Sequence, residues 1–146
     1  MLDHSPLARK LGIKPKMEVW CVEAPKNFHK NISPLPTAAN TIHVNPLAPP
    51  HHSFGLCILF SKSQQELIGA FTSLFPFMGS HSTLWICWPK KASGLDSDLS
   101  FDIVQKVGLA HGLVDNKVCS IDDTWSSIRH SVRVENRPNW NYADYL

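Results

Sequence analysis

Lys117-Val118-Cys119-Ser120-Ile121-Asp122-Asp123-Thr124-Trp125-Ser126-Ser127-Ile128-Arg129-His130-Ser131-Val132-Arg133-Val134 is the stretch that decides the fold. Ile128, His130, Val132 and Val134 alternate with Ser127, Arg129, Ser131 and Arg133, the period of a strand with one wet face. Lys117 to Asp122 reads as a second, less apolar strand. Only Asp123 to Ser126 separate the two. A parallel return needs about a dozen residues or more, so this pair is expected to be an antiparallel hairpin.

Upstream of the hairpin, strands alternate with helices. Ser5, Pro6 and Gly12 punctuate a short leading helix: a capping hydroxyl, a proline in the first turn and a glycine at the stop. Met17 to Glu23 is a strand whose continuous run Val19-Trp20-Cys21-Val22 implies that both faces are covered. Pro25 is expected to open a brief helix carrying Phe28 and Ile32, which Pro34 and Pro36 end. Thr41 to Asn45 is the second strand, Pro46 to His52 a stiff loop, and Gly55 to Phe60 a buried central strand.

Ser63 and Glu66 form a capping box for a helix with Leu67, Ile68, Phe71, Leu74 and Phe75 at helical spacing. Leu84 to Trp88 is another apolar strand, followed by Pro89 and a polar loop through Ser97. Asp98 or its neighbour caps the next helix, with Leu99, Ile103, Val104 and Val107 inward and an end near Gly112. Such alternation implies right-handed crossovers. The expected fold is α/β, a three-layer Rossmann-like sandwich on a mostly parallel sheet of about six strands closed by a C-terminal antiparallel hairpin. Residues 1–134 make a single domain and residues 135–146 a tail.

Composition narrows the function classes. The 146 residues carry a formal net charge of +2, with lysines and arginines scattered, which argues against a duplex nucleic-acid face. Apolar runs such as Leu56 to Phe60 fall far short of the ~20 residues of a spanning helix. Met1 to Lys16 is polar and basic with no apolar core, so a cytoplasmic setting is expected. Cys21, Cys57, Cys87 and Cys119 are widely spaced inside apolar runs, the placement of inert buried thiols rather than of a disulfide framework or zinc site.

The order of elements looks like the architecture of methyltransferases that use S-adenosylmethionine. In detail, Leu11-Gly12-Ile13-Lys14-Pro15, Trp88-Pro89-Lys90-Lys91 with Ser93-Gly94, Gly112-Leu113-Val114-Asp115 with Lys117-Val118-Cys119, and Asp123-Thr124-Trp125-Ser126 resemble the bacterial domain of unknown function 3052 family. The likeness spans about Leu7 to Arg133. It implies the fold and a bacterial cytosolic setting, and supplies no catalytic residue.

A nucleotide-type cofactor is normally held by glycines after the first strand and an acid after the second. Here the first turn is Glu23-Ala24-Pro25-Lys26-Asn27 and the second strand ends at Asn45, so no cofactor is expected. His43, His51 and His52 lack a completing ligand at known spacing and read as loop surface, so no metal is expected. His130 reads as a hydrogen-bonded core residue. No Gly-x-Ser-x-Gly elbow surrounds Ser53, Ser61 or Ser93.

One constellation remains. Lys90 and Lys91 follow a central strand, Asp122 and Asp123 follow another, and Trp125 starts the return. These fall on the carboxyl edge, where open parallel sheets bind ligands, and would suit a small anionic ligand. The plainer alternative is a solvated salt-bridge cluster with Trp125 plugging the hairpin. The expected function is a non-catalytic binding or regulatory module on a methyltransferase-like scaffold. Alternatives are a divergent group-transferase acting on an anionic substrate, or a structural subunit docking the aromatic tail, Trp140 to Tyr145, on another protein.

Overall fold

The computed structural model describes residues 5–146. Six strands form one sheet, β1 (Glu18–Val22), β2 (Asn40–His43), β3 (Phe54–Phe60), β4 (Met78–Pro89), β5 (Leu113–Ser120) and β6 (Trp125–Val132), in the order β2-β1-β3-β4-β6-β5. The first four are mutually parallel, and β6 runs antiparallel to both β4 and β5. This is the expected α/β sheet with its terminal antiparallel hairpin.

Helices α1 (Pro6–Leu11) and α2 (Phe28–Ile32) cover one face, α3 (Gln64–Leu74) and α4 (Phe101–Leu109) the other. The continuous apolar runs follow from that double cover. Along β1, Val19 and Cys21 enter the core under α1 and α2, while Trp20 and Val22 enter the core under α3 and α4. Along β4, Trp85 and Cys87 take the first side, and Leu84, Ile86 and Trp88 the second. Each large side chain so buried contributes roughly 1.5–3 kcal/mol of transfer free energy.

Local chemistry fixes α1 as the sequence implies. Ser5 Oγ accepts from the Ala8 amide at 3.0 Å, and Gly12 ends the helix at φ +84°. The buried Trp85 indole donates to the Leu11 carbonyl at 2.9 Å, which satisfies both the indole and an orphan carbonyl at the helix end.

Several boundaries differ from expectation for physical reasons. Pro25 accepts a turn bond from Phe28 and α2 begins only there. β2 starts at Asn40 and stops at His43. Ser100 caps α4, because Asp98 is used elsewhere: its Oδ1 accepts from the Gln64 amide at 2.7 Å at the start of α3. β5 begins at Leu113, well before Lys117, with a register shift between Asp115 and Lys117 that breaks its alternation. β6 begins at Trp125 and ends at Val132, leaving Val134 outside and 69% exposed.

The aromatic residues of the tail 135–146 pack on the domain. Trp140 Nε1 donates to the Met78 carbonyl at 2.8 Å, Trp140 stacks on Tyr145, and Trp140 and Tyr142 meet Phe75 edge to face. Aromatic side chains without helical or strand period gave no hint of where they would pack. Among the described residues, no helix is long and apolar enough to cross a membrane.

Candidate functional site

The five residues of the expected edge do come to the carboxyl side of the sheet, mostly in the service of the hairpin. The Lys90 amide donates to the Thr124 carbonyl at 2.7 Å, and Lys90 Nζ donates to Ser120 Oγ at 2.6 Å. Ser120 Oγ in turn donates to the Asp122 carbonyl at 3.2 Å. Asp122 Oδ1 accepts from the amides of Thr124 at 2.8 Å and Trp125 at 2.9 Å, closing the turn between β5 and β6. Lys91 and Asp123 are exposed. Trp125 is buried and turns toward β3, meeting Phe60 edge to face at 5.1 Å.

Beside Trp125 the sheet opens into a two-lobed cleft at the carboxyl ends of β1 and β3. This is the point where the chain, having wound one way from β1 to β2, winds the other way from β3 to β4, and crevices for ligands form there. One lobe, about 200 Å³, is lined by Glu23, Pro25, Phe60, Ser61, Glu66 and Trp125, with Lys62 at its edge. The other, about 410 Å³, shares Glu23, Phe60, Ser61 and Glu66 and continues along Pro46, Leu47 and Ala70.

Glu23 stands in the left-handed region, φ +56°, immediately after β1. A side chain there costs on the order of 1 kcal/mol, and glycine is the usual occupant. Glu66 was expected to complete a reciprocal capping box. Ser63 Oγ accepts from the Glu66 amide at 3.1 Å, the reciprocal bond from the Glu66 side chain is not made, and Glu66 lines both lobes. Ser61 is 3% exposed, and its hydroxyl has no hydrogen-bond partner, although its amide donates to the Cys87 carbonyl. A buried hydroxyl left so costs roughly 1–3 kcal/mol. Glu23, Ser61 and Glu66 escaped the sequence reading because the order of strands, which no local pattern shows, is what brings them together.

The remaining reactive groups lie in the cores. Burial pushes the Cys21 thiol up to about 12 and raises those of Cys57, Cys87 and Cys119 as well. All four are free and buried, so their thiolates are scarce near neutrality. His130 is wholly buried and, contrary to the expectation of a bonded core residue, neither ring nitrogen has a partner. Among the described residues, no group of three or more His, Cys, Asp or Glu converges as a metal site.

No family model matches the chain, and no curated protein matches it in sequence, so the resemblance to the domain of unknown function 3052 family gains no support. Solved structures do match. The N-methyltransferase NodS from Bradyrhizobium japonicum WM9 is similar over 87% of this chain and 93% of its own, at 10% identity and a TM-score of 0.58. DhpI, in its SAH complex, is similar over 88% of this chain and 84% of its own, at 8% identity and a TM-score of 0.60. LepI, in complex with SAH and a substrate analogue, is similar over 89% of this chain, at 11% identity and a TM-score of 0.54. The chain spans about half of LepI, 47% of its length. Such identities show the fold alone, and what they show is structural similarity to S-adenosylmethionine-dependent methyltransferases.

The residues at the switch point do not fit an adenosyl cofactor held in the way that fold holds one. The turn after β1, Glu23-Ala24-Pro25-Lys26-Asn27, holds no glycine where backbone would have to approach the ligand. Beyond β2, Asn45 stands where an acid would meet the ribose, and its Oδ1 already accepts from the Leu47 amide at 2.9 Å.

Proposed function

We propose that this chain is a non-catalytic binding module that retains a methyltransferase-like scaffold and takes a small amine-bearing ligand in the cleft between β1 and β3. The observation that carries the reading is Glu23. Its left-handed backbone is maintained at an energetic cost, and it lines both lobes together with Glu66. Strain of this kind is retained where the surroundings over-determine it, and it clusters at ligand sites. Phe60 and Trp125 supply an apolar floor, and two carboxylates against the single Lys62 give the cleft a preference for a cation. Lys90 is engaged by the turn and neither Lys90 nor Lys91 lines the cleft, so an anionic ligand is the weaker choice.

The test is Glu23→Gly. Relief of the left-handed strain should raise stability by up to about 1 kcal/mol. The same change should abolish binding of primary amines, read from the indole NMR signal of Trp125 across a panel of diamines and amino acids. Ala38, at φ +61° and absent from the cleft lining, is the control: Ala38→Gly should stabilise without touching binding. Saturable binding of S-adenosylmethionine with methyl transfer, or no response of Trp125 to any amine in the panel, would overturn the reading.

A further inference from the structure

His29, on α2, and His43, the last residue of β2, meet with their Nε2 atoms 3.2 Å apart. Their ring centroids are 5.0 Å apart and the rings are inclined at 75°. The nitrogens are thus nearer to each other than the ring centres are, and the two Nε2 corners approach at an angle rather than head on. Two nitrogens 3.2 Å apart leave a point about 2 Å from each, at which they subtend somewhat more than a right angle. That is the reach of a zinc–imidazole bond, about 2.0–2.1 Å, at close to the tetrahedral angle.

The surroundings agree with a ligand role. Thr41 Oγ1 lies 3.4 Å from His29 Nδ1, and Thr41 and His43 share one face of β2 by the two-residue period. An Nδ1–H donating to that hydroxyl leaves a bare lone pair on Nε2, as outer-shell partners do for metal-bound histidines. His43 is exposed and His29 half-buried, so water can fill further coordination positions. α2 is held from below by Phe28 and Ile32, and its outer end and β2 have few bonds of their own. α2 has five residues and no side-chain cap bond, and β2 is an edge strand of four residues with one neighbour.

We propose that His29 and His43 form a divalent-metal clip, taking Zn²⁺ through two imidazole nitrogens with water completing the shell, and pinning α2 to the sheet edge. The clip is independent of the ligand cleft. Sequence spacing concealed it, because the two histidines come from different elements and form no motif.

Chelator-treated protein titrated with zinc chloride should bind one ion saturably and melt at a higher temperature, since an ion that binds the folded form stabilises it. His29 and His43 ring signals should be the first to move by NMR. His43→Gln and His29→Gln should each remove the thermal shift, and Thr41→Val should weaken binding by roughly ten- to a hundredfold. His52→Ala, which removes a ring bound instead to Glu18, should change nothing. No zinc-dependent shift in the wild-type protein, or an equal shift in His43→Gln, would mean a hydrogen-bonded pair only and overturn the proposal. The wild-type NMR titration decides the matter even if a variant fails to fold.

Discussion

His130 is the residue under the greatest constraint. Burial drives its imidazole down from 6.5 to about 4, against the opposite pull of Asp115 and of the nearby backbone of Leu84 and Ile128. The unfolded chain takes up this proton below about 6.5, while the folded protein resists until about 4, so stability must fall as pH drops through that window. Once both forms are protonated the loss is roughly 3 kcal/mol. Urea unfolding at about pH 5 and about pH 8 should reveal the slope, and His130→Leu should flatten it. That variant should also be no less stable than wild type by more than about 1 kcal/mol at the higher pH, since it removes two unpaired buried nitrogens. Packing supplies a companion case. A Cβ on Gly108 would overlap the His130 ring, so Gly108→Ala should cost about 1–3 kcal/mol. The cost should largely vanish in a His130→Ala background, and an additive double mutant would show that the ring is not what excludes the methyl group.

At the scale of elements, the hairpin divides residues that hold the turn from those that merely decorate it. Asp122→Ala strips the acceptor from two backbone amides and should cost about 1–2 kcal/mol, whereas Asp123→Ala and Lys91→Ala should stay within about 0.5 kcal/mol by chemical denaturation. Equal effects from all three would restore the edge cluster as a cooperative charged site. The hairpin was legible because its residues alternate and its loop is short, and β1, β3 and β4 were legible because two-sided burial writes continuous apolar runs. β5 was half missed because the irregularity at Asn116 puts residues out of phase, so that Leu113 to Asn116 fell between a helix ending near Gly112 and a strand beginning at Lys117. The candidate cleft was illegible for a different reason. Glu23, Ser61 and Glu66 are ordinary polar residues beside ordinary elements, and only strand order makes them neighbours. The strain at Glu23 is a backbone angle that a glutamate letter does not disclose.

The whole molecule is two apolar layers sharing one sheet, and its tail belongs to one of them. Trp140, Tyr142 and Tyr145 pack on the core formed by β3, β4, α3 and α4, and the Trp140 indole caps a carbonyl at the very start of β4. Phe75, wholly buried at the end of α3, has Trp140 and Tyr142 against its ring. Removing residues 138–146 therefore uncovers this core at the end of the sheet where β4 starts, away from the ligand cleft. Losing the packing of a half-buried tryptophan and two tyrosines should cost several kcal/mol, by analogy with the roughly 3–5 kcal/mol for truncating a buried aromatic. Because β4 is central and both layers rest on it, that loss should be felt by the entire domain in one transition rather than as local fraying. The truncated chain should show a lower midpoint by both tryptophan fluorescence and far-ultraviolet circular dichroism, with the two probes still coincident, and should bind a hydrophobic dye. An unchanged midpoint would return the tail to the role of a free docking segment. Amine binding at the cleft should survive truncation wherever the domain remains folded, since Glu23, Ser61 and Glu66 lie at the opposite ends of the strands from Met78.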